Sequence, residues 1–377
     1  MSTCDPRQRK VSLVPWERSF YYSKCPAQVE PFLIAMSLKT FLVDLRIEAQ
    51  KGKLPIVTDF LAHSLEQTLA KGEMSLLLLN RRGHARTLLC TACGMAHQCA
   101  RCVVSMTVHK KRDQYSLLCH YCGKEEDIPQ ACVSCKAEQF KSTGFGIQQA
   151  EEELRHRFPT AKILRIDADT TKGKHAFTDL HKELHDGSVD IIIGTQMLAK
   201  GMDNPRITLV GVLDADIGLS IPDFRAEERT FQLLMQVLGR AGRTGVEGRV
   251  VIQTWMPESP SISCAATQDM EGFYAYLLEQ RKTYAYPPFA DLIKCTVLAK
   301  TESDAAMHAE NLQKSFMETR GTLGHDVEAF VAPAYIPRQH GVFVYHVLLK
   351  GKGARSVLES TKIPTSVRVD VEPLQLL

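Results

Sequence analysis

The sequence has no long apolar stretch. Apolar runs such as Leu76 to Leu79 and Ile191 to Ile193 are far shorter than the roughly 20 residues that a membrane-spanning helix needs. The charged start, Met1 to Lys10, does not have the pattern of a secretory signal peptide. We therefore expect a cytoplasmic protein that does not contact membranes.

The chain also has little net charge. Its 46 Lys and Arg residues and 43 Asp and Glu residues leave a formal charge of +3, so nucleic-acid binding would depend on local basic patches. One concentration of cations surrounds the cysteine-rich region: Arg81, Arg82, Arg86, Arg101, Lys110, Lys111 and Arg112. Two interpretations stay open. These side chains, Arg81 and Arg82 first among them, bind phosphate groups, or they offset the negative charge of metal-bound thiolates.

A third absence concerns nucleotide binding. The sequence contains no Gly-x-x-x-x-Gly-Lys-Ser/Thr loop, and its nearest segment, Thr170 to His175, lacks the first glycine and the hydroxyl after the lysine. It also contains no Asp-Glu-x-His type of acidic box for magnesium. Phosphate groups need an amide cradle and magnesium ligands, so these 377 residues do not hold a complete ATP site of this kind.

Cysteine is abundant and regularly spaced. One short stretch contains four Cys-x-x-Cys pairs: Cys90/Cys93, Cys99/Cys102, Cys119/Cys122 and Cys132/Cys135. Each pair places two thiolates on one side of a tight turn, and a tetrahedral zinc ion needs two such turns. The gap from Cys102 to Cys119 is typical of a zinc ribbon, whereas Cys93 and Cys99 are too close for a hairpin. The spacing predicts nested pairing, with an inner site of Cys99, Cys102, Cys119 and Cys122 and an outer site of Cys90, Cys93, Cys132 and Cys135.

The alternative to zinc in this region is a set of redox-active dithiols or disulfides. Regular pairs in a cytosolic chain favour metal. We expect His97, His109 and His120 to lie beside the sites without binding metal.

The pattern of apolar residues predicts an α/β fold. Predicted strands at Ser75–Leu79, Lys162–Ile166, Val189–Thr195, Ile207–Asp214 and Gly248–Thr254 alternate with helices near Ile147–Phe158 and Glu227–Gly239. This alternation predicts a RecA-like parallel sheet with helices on both faces and the zinc region inserted after its first strand.

The pattern changes after Trp255. A helix at Phe273–Lys282, a strand at Asp291–Ala299, a long helix at Glu302–Arg320 and strands at Val342–Leu349 and Ser366–Val371 predict a C-terminal α+β domain with an antiparallel sheet. The predicted organisation is 1–50, without clear elements; 51–87, the start of the parallel-sheet domain; 88–140, the zinc-binding insert; 141–256, the rest of the parallel-sheet domain; and 257–377, the C-terminal domain.

Two segments of the parallel-sheet region are typical of a motor protein. In Ile193 to Asp203 a buried strand ends in a turn whose Gly194 and Thr195 amides suit the phosphate oxygens of a nucleic-acid strand. In Gln236 to Arg243, Arg240 and Arg243 lie three residues apart and can neutralise charge on a transferring phosphoryl group. A single Gly-Arg-x-Gly-Arg run would indicate a solvated basic turn, but both segments in this order favour a motor.

These motifs together resemble the PriA family of bacterial replication restart helicases (primosomal protein N′), which belongs to superfamily 2. The resemblance covers about Val43 to the end and rests on the following motifs: Asn80-Arg81-Arg82-Gly83, the four cysteine pairs, Gly194-Thr195-Gln196-Met197, Leu213-Asp214-Ala215-Asp216, Gly239-Arg240-Ala241-Gly242-Arg243, Tyr286-Pro287-Pro288-Phe289 and Val369-Asp370-Val371-Glu372-Pro373. It implies a second RecA-like lobe with a two-zinc insert and a C-terminal domain.

The resemblance also implies roles for individual residues. Gln236, Arg240 and Arg243 would face ATP as catalytic residues. Gly201 and Asp203 would lie near the nucleotide, and Thr195 and Gln196 near DNA. The family's N-terminal DNA-binding domain and first RecA-like lobe have no counterpart in this sequence, so we expect ATP and Mg²⁺ to be cofactors only when that lobe is supplied.

The expected function follows from this resemblance. It implies an ATP-dependent 3′ to 5′ DNA helicase that remodels stalled replication forks for primosome assembly, with two Zn²⁺ ions as cofactors. The implied partners are forked or single-stranded DNA, single-strand-binding protein and other primosome proteins. We expect negligible ATPase activity from these residues alone. The alternative is a non-catalytic, zinc-containing adaptor that binds forks, and a thiol oxidoreductase would need an exposed cysteine of low pKa.

Overall fold

The computed structural model of the protein describes residues 38–50, 56–79, 87–102, 104–111, 114–142, 146–167, 188–195, 204–242, 247–374 and 376. These residues form two compact units. The first contains the described residues of 1–82, 145–216 and 230–269, and the second contains those of 83–144, 217–229 and 270–377.

In chain order the strands are β1 (Leu38–Asp44), β2 (Met74–Leu78), β3 (Leu88–Cys90), β4 (Thr107–Lys111), β5 (Gln114–Leu118), β6 (Glu125–Asp127), β7 (Phe140–Ser142), β8 (Ile163–Ile166), β9 (Ile191–Gly194), β10 (Ile207–Val212), β11 (Gly248–Thr254), β12 (Asp291–Ala299), β13 (Val327–Gln339), β14 (Val342–Gly351) and β15 (Arg368–Val371). The helices are α1 (Leu45–Gln50), α2 (Asp59–Ala70), α3 (Ile147–Arg157), α4 (Asp216–Leu219), α5 (Ala226–Leu238), α6 (Pro260–Thr267), α7 (Met270–Thr283), α8 (Glu302–Leu323) and α9 (Ala354–Ser360). Within these residues no helix is long and apolar enough to cross a membrane.

The first unit is built on a six-stranded sheet in the order β1-β11-β10-β2-β9-β8, and every neighbouring pair is parallel. All residues of β2 and β10 are buried, as expected for parallel strands that are covered on both faces. The α/β prediction is therefore confirmed. Strand β1 and helix α1 lie within residues 1–50, where no clear elements were predicted.

A buried amide connects this sheet to helix α2. The Gln253 side chain accepts a hydrogen bond from the Thr58 amide at 2.9 Å and donates to the carbonyls of Ile56 and Leu213, both at 2.8 Å. The Thr58 side chain caps α2 by accepting from the Leu61 amide at 3.4 Å. The loop before α2 is thus fixed to β11 and to the end of β10.

The second unit contains an antiparallel sheet in the order β13-β14-β12-β15. One face packs on helices α8 and α9 through a buried cluster that includes Ile293, Phe316 and Val347. The opposite face carries Leu292 and Leu348, which belong to a second buried cluster with residues of the cysteine-rich insert. Adjacent strand residues point to opposite faces, so this sheet lies between two helices and the insert.

The insert itself has little regular structure. Strands β3 and β7 pair at its base, and β4, β5 and β6 form a three-stranded sheet. The C-terminal α+β prediction is confirmed, with two elements added to it, β13 and α9, whereas helix α6 falls in the first unit. Strand β15 begins at Arg368 and not at Ser366, because the Val367 amide turns back to the Pro364 carbonyl at 3.0 Å.

Candidate metal centres and motor motifs

The eight cysteines form two groups of four. Cys99, Cys102, Cys119 and Cys122 make the inner centre, and Cys90, Cys93, Cys132 and Cys135 make the outer centre; within each group the ligand atoms lie within 4.8 Å of one another. This is the nested arrangement that the spacing predicted. Across the described residues, these are the only groups of three or more His, Cys, Asp or Glu side chains with such geometry.

The sulfur atoms have the separation that a zinc ion requires. The Sγ atoms of Cys99 and Cys122 lie 3.7 Å apart, those of Cys93 and Cys132 lie 3.7 Å apart, and those of Cys90 and Cys135 lie 3.6 Å apart. A tetrahedron with Zn–S bonds of about 2.3 Å has edges of roughly 3.8 Å, whereas a disulfide has sulfurs about 2.05 Å apart. All eight cysteines are free thiols, so both donor sets fit tetrahedral zinc.

The backbone around three of the cysteine pairs repeats one hydrogen-bonding pattern. The residue after the second cysteine donates its amide to the carbonyl of the first: Gly94 to Cys90 at 2.8 Å, Gly123 to Cys119 at 2.9 Å and Lys136 to Cys132 at 2.9 Å. All three donors have positive φ, between 63° and 78°, a conformation that glycine adopts most readily. A glycine directly after the second cysteine, as at Gly94 and Gly123, is therefore a sequence signal for this turn.

The thiol pKa values within the two centres are shifted in opposite directions. Burial raises the pKa of Cys93 to about 12, whereas a backbone hydrogen bond with Ala137 lowers the pKa of Cys135 to about 7. Hydrogen bonds, first among them that from Cys102, lower the pKa of Cys122 to about 7. Four neighbouring thiolates repel one another, and zinc, when bound, supplies the positive charge that holds them deprotonated in one tetrahedron.

The three nearby histidines have other partners. His97 Nε2 lies 3.0 Å from Glu126 Oε2, and His109 Nε2 lies 3.0 Å from His120 Nε2. His120 Nδ1 lies 3.0 Å from the Pro333 carbonyl oxygen. Neither four-cysteine group includes a histidine.

Among the Lys and Arg residues around the cysteines, Arg101 is the one whose side chain lies within the described residues. Its guanidinium donates to Glu328 at 2.8 Å and lies over the Phe330 ring at 4.3 Å from the centroid. This cation therefore serves packing within the second unit. Arg81, Arg82, Arg86 and Arg112 fall outside the described residues, as do the side chains of Lys110 and Lys111.

The arginine-containing motor segment forms the end of helix α5 and the turn after it. Gln236 is exposed on α5 and Arg240 is half-buried in the turn. Gly242 has φ +70° and donates its amide to the Ile207 carbonyl at 3.2 Å. A Cβ atom on Gly248 would lie 2.8 Å from the Ala241 carbonyl carbon. The turn is thus held directly against the starts of β10 and β11, while Arg243 lies outside the described residues.

Of the other predicted motor residues, Thr195 can be placed. It follows β9, and its amide donates to the Ile166 carbonyl at 3.3 Å. That amide, predicted to face phosphate oxygens, is therefore engaged by the neighbouring strand. Gln196, Gly201 and Asp203 lie outside the described residues.

The Leu213-Asp214-Ala215-Asp216 segment holds two buried carboxyl groups. Asp216 accepts from the Thr254 hydroxyl at 3.0 Å and from the Trp255 amide at 2.7 Å. Burial, together with the neighbouring Asp214, raises the pKa of Asp216 to about 7. The Asp216 carboxyl group thus connects the segment after β10 to the end of β11, and it has a structural role in the sheet.

Two known domain families match segments of the chain. Residues 113–245 match the helicase conserved C-terminal domain, and residues 99–126 match the PriA DNA helicase Cys-rich region domain. The second match covers the cysteines of the inner centre.

Curated relatives agree with these matches, and each is named replication restart protein PriA. The Bacillus subtilis protein is 45% identical over 271 residues, which is 72% of this chain and 33% of that protein. The Chlamydia trachomatis protein is 37% identical over 89% of this chain and 46% of that protein. The Treponema pallidum protein is 37% identical over 84% of this chain and 49% of that protein.

The chain thus spans between a third and a half of the length of these relatives. The two family matches cover strands β8 to β10, the arginine-containing turn up to Arg243 and the inner cysteine pairs. The chain belongs to the PriA family of replication restart proteins.

Proposed function

We propose that these residues form the second RecA-like lobe, the two-zinc insert and the C-terminal domain of a fork-remodelling DNA helicase that acts in the cytoplasm. One observation carries the proposal: a parallel sheet with the Gly-Arg-Ala-Gly-Arg turn and a nested pair of four-cysteine centres occur in one chain that matches the PriA Cys-rich region. In this proposal each centre binds one Zn²⁺ ion.

The ATP-dependent part of the function needs a second set of residues. Gln236, Arg240 and Arg243 would complete an ATP site by contacting the phosphates, with Gly201 and Asp203 near the nucleotide. The sequence contains no phosphate-binding loop or acidic box, and arginines alone cannot position a triphosphate with Mg²⁺. Translocation from 3′ to 5′ would therefore require a polypeptide that carries both motifs.

DNA binding is proposed independently of ATP. Thr195, Gln196, Arg81 and Arg82 are the proposed contacts, with forked or single-stranded DNA as the ligand. Single-strand-binding protein and other primosome proteins are the proposed protein partners. A non-catalytic fork-binding adaptor would share the DNA and zinc contacts but would gain no ATPase activity from a complementing lobe.

Fluorescence anisotropy with a forked oligonucleotide at several salt concentrations tests the DNA contacts. Each phosphate contact releases about one counterion, so Arg81→Ala and Arg82→Ala should each flatten the plot of log affinity against log salt by about one unit. Arg101→Ala is the matched control, because its guanidinium already pairs with Glu328, and its slope should not change. Unchanged slopes for Arg81→Ala and Arg82→Ala would assign them to charge compensation.

ATP turnover distinguishes the motor from the adaptor. The 377-residue chain should hydrolyse ATP negligibly, and adding a polypeptide with the loop and acidic box should produce an activity that Arg243→Ala abolishes. Turnover at helicase rates by the chain alone, lost in Arg243→Ala, would contradict the two-part site. No gain on complementation, with DNA binding intact, would support the adaptor.

A further inference from the structure

The inner cysteine centre is connected to the chain segment 217–229 by three aromatic side chains. Tyr286 donates its hydroxyl to the Cys102 carbonyl at 2.8 Å. The Phe224 ring stacks on the Tyr286 ring with centroids 4.6 Å apart and planes 5° apart. Tyr121, which lies between Cys119 and Cys122, accepts a hydrogen bond from the Phe224 amide at 2.9 Å. Two separate routes therefore join the ligand turns of the inner centre to Phe224.

Burial makes these contacts costly to lose. Tyr121 and Tyr286 are 4% and 5% exposed, and both belong to the same buried cluster as Cys99, Cys102 and Cys119. A buried hydroxyl that loses its hydrogen-bond partner still carries the free-energy cost of leaving water. Each tyrosine therefore has a strong preference for the arrangement in which the inner ligand turns and segment 217–229 are both in place.

The segment on either side of Phe224 is bonded to the same unit. The Thr87 hydroxyl donates to the Ser220 carbonyl at 3.1 Å, and the Ser105 hydroxyl donates to the Leu219 carbonyl at 3.3 Å. Arg225 donates to the Pro373 carbonyl. Segment 217–229 is thus held by the insert and by the C-terminal strand region, and it continues directly into helix α5, which carries Gln236.

The outer centre makes different connections. Its cysteines take part in hydrogen bonds of their own turns, from Gly94 to Cys90 and from Lys136 to Cys132. Cys135 is exposed. Loss of the outer metal should therefore open the base of the insert without releasing Phe224.

We propose that metal binding at the inner centre orders segment 217–229 through Tyr121, Phe224 and Tyr286, and so fixes the start of helix α5. The proposal rests on the zinc content proposed above. The insert has strands of only three to five residues, too short to hold the ligand turns without metal. Once those turns loosen, the Cys102 carbonyl and the Tyr121 hydroxyl no longer present fixed partners. In this arrangement Tyr121, Phe224 and Tyr286 are positioning residues.

Hydrogen–deuterium exchange on the full chain tests the proposal. Cys122→Ser removes one inner ligand and Cys135→Ser removes one outer ligand, so each variant should retain about one of the two zinc ions. Amides of 223–229 should exchange at least about tenfold faster in Cys122→Ser and within about twofold of the parent in Cys135→Ser. Residues 217–222 do not discriminate, because Ser220 is bonded to Thr87, directly before the outer ligand strand β3. Equal exchange in both variants, or full protection of 223–229 after inner zinc is lost, would overturn the proposal.

A milder variant separates coupling from general misfolding. Tyr286→Phe removes only the bond to the Cys102 carbonyl, so it should retain both zinc ions while 217–229 exchanges several-fold faster. Tyr115→Phe, on β5 of the same insert, is the matched control and should leave 217–229 unchanged. Unaltered exchange in Tyr286→Phe and in Phe224→Leu would refute the aromatic route.

Coupling must also act in the reverse direction, because linkage between two sites is reciprocal. Phe224→Leu should weaken zinc binding at the inner centre by a factor no larger than that by which zinc protects 217–229, and should leave the outer centre unaffected. Competition with a chromophoric chelator measures both affinities. A parent chain without zinc would refute the proposed metal content, whereas two zinc ions with no reciprocal effect would refute this inference alone.

Discussion

The two units differ in what stabilises their buried cores. In the first unit, complete strands such as Met74–Leu78 and Ile207–Val212 are buried, and most of their buried side chains pack by apolar contact. The insert of the second unit has strands of three to five residues, and its buried cluster includes three thiols of the inner centre. A small element that cannot bury enough apolar surface commonly depends on metal.

The second unit contains both kinds of core on one sheet. On one face, Phe316 and Leu349 pack in a wholly conventional cluster with helix α8. On the other face, Leu348 packs beside the inner cysteines. We therefore expect bound metal to stabilise the insert and the sheet face that packs against it. The face that packs on helix α8 should not depend on metal.

Removal of zinc should have the largest effect that separates the two units. A structural zinc ion contributes on the order of 10 kcal/mol to folding, so chelation should unfold the insert. Amides of β4 and β5 should exchange at least about 100-fold faster, measured by hydrogen–deuterium exchange. Amides of β10 and β11 in the first unit should change by less than about twofold.

The control is the same chain with chelator and excess zinc, which should restore protection of β4 and β5. If the insert amides stay protected in a metal-free chain, the insert folds without metal. Equal loss of protection in β10 would show that the first unit does not hold its core independently.

The same difference explains what the sequence could predict. Strand β11 was predicted with its observed bounds, Gly248–Thr254, because buried β-branched runs in a parallel sheet leave a clear pattern. The nested cysteine grouping was predicted because ligand spacing restricts which turns can meet. Both signals are local in sequence.

Non-local and irregular features were missed. Strand β13 contains Pro333 and Pro337 and has a register shift between Pro333 and Arg338. Proline cannot donate to a sheet, and this strand is tolerated because it lies at the sheet edge. The stacking of Phe224 on Tyr286 joins residues far apart in the chain, and no spacing rule indicates it.

The two units should also respond oppositely to pH. Burial raises the pKa of Asp216 from its ordinary value of 3.8 to about 7. The folded first unit therefore binds this proton more tightly than the unfolded chain, so the contribution of Asp216 to its stability is greatest below about pH 4 and is lost as the pH rises through 7. A pKa difference of this size corresponds to roughly 4 kcal/mol. The zinc-dependent insert should instead lose stability as the pH falls, since protons compete for thiolates.

Urea unfolding at pH 5 and pH 8, followed by exchange of β11 amides for the first unit, measures this slope. Asp216→Asn removes the titrating group and should flatten the slope, although it also weakens the hydrogen bonds from Thr254 and Trp255. Asp59→Asn makes the same chemical change at an exposed position of the first unit and should keep the parent slope. A parent slope in Asp216→Asn would assign the pH response to another group.

The most local effect concerns the close approach of an inner ligand turn to the C-terminal sheet. Gly123 has φ +73°, and a Cβ atom there would lie 2.5 Å from the Val331 carbonyl oxygen. Gly123→Ala should therefore combine left-handed backbone strain with a backbone clash, lowering the stability of the second unit by roughly 2–5 kcal/mol. The loss should appear as inner-zinc release at a lower urea concentration, detected with a chromophoric chelator.

Gly341→Ala supplies the matched control within the same unit. Gly341 also has positive φ, +86°, but nothing lies within 4 Å of its Cβ position, so only the backbone strain of about 1–2 kcal/mol applies. The difference between the two variants measures the cost of separating the ligand turn from Val331. If Gly123→Ala is no more destabilising than Gly341→Ala, the insert does not depend on close packing against β13, and the contrast between the two cores then rests on metal alone.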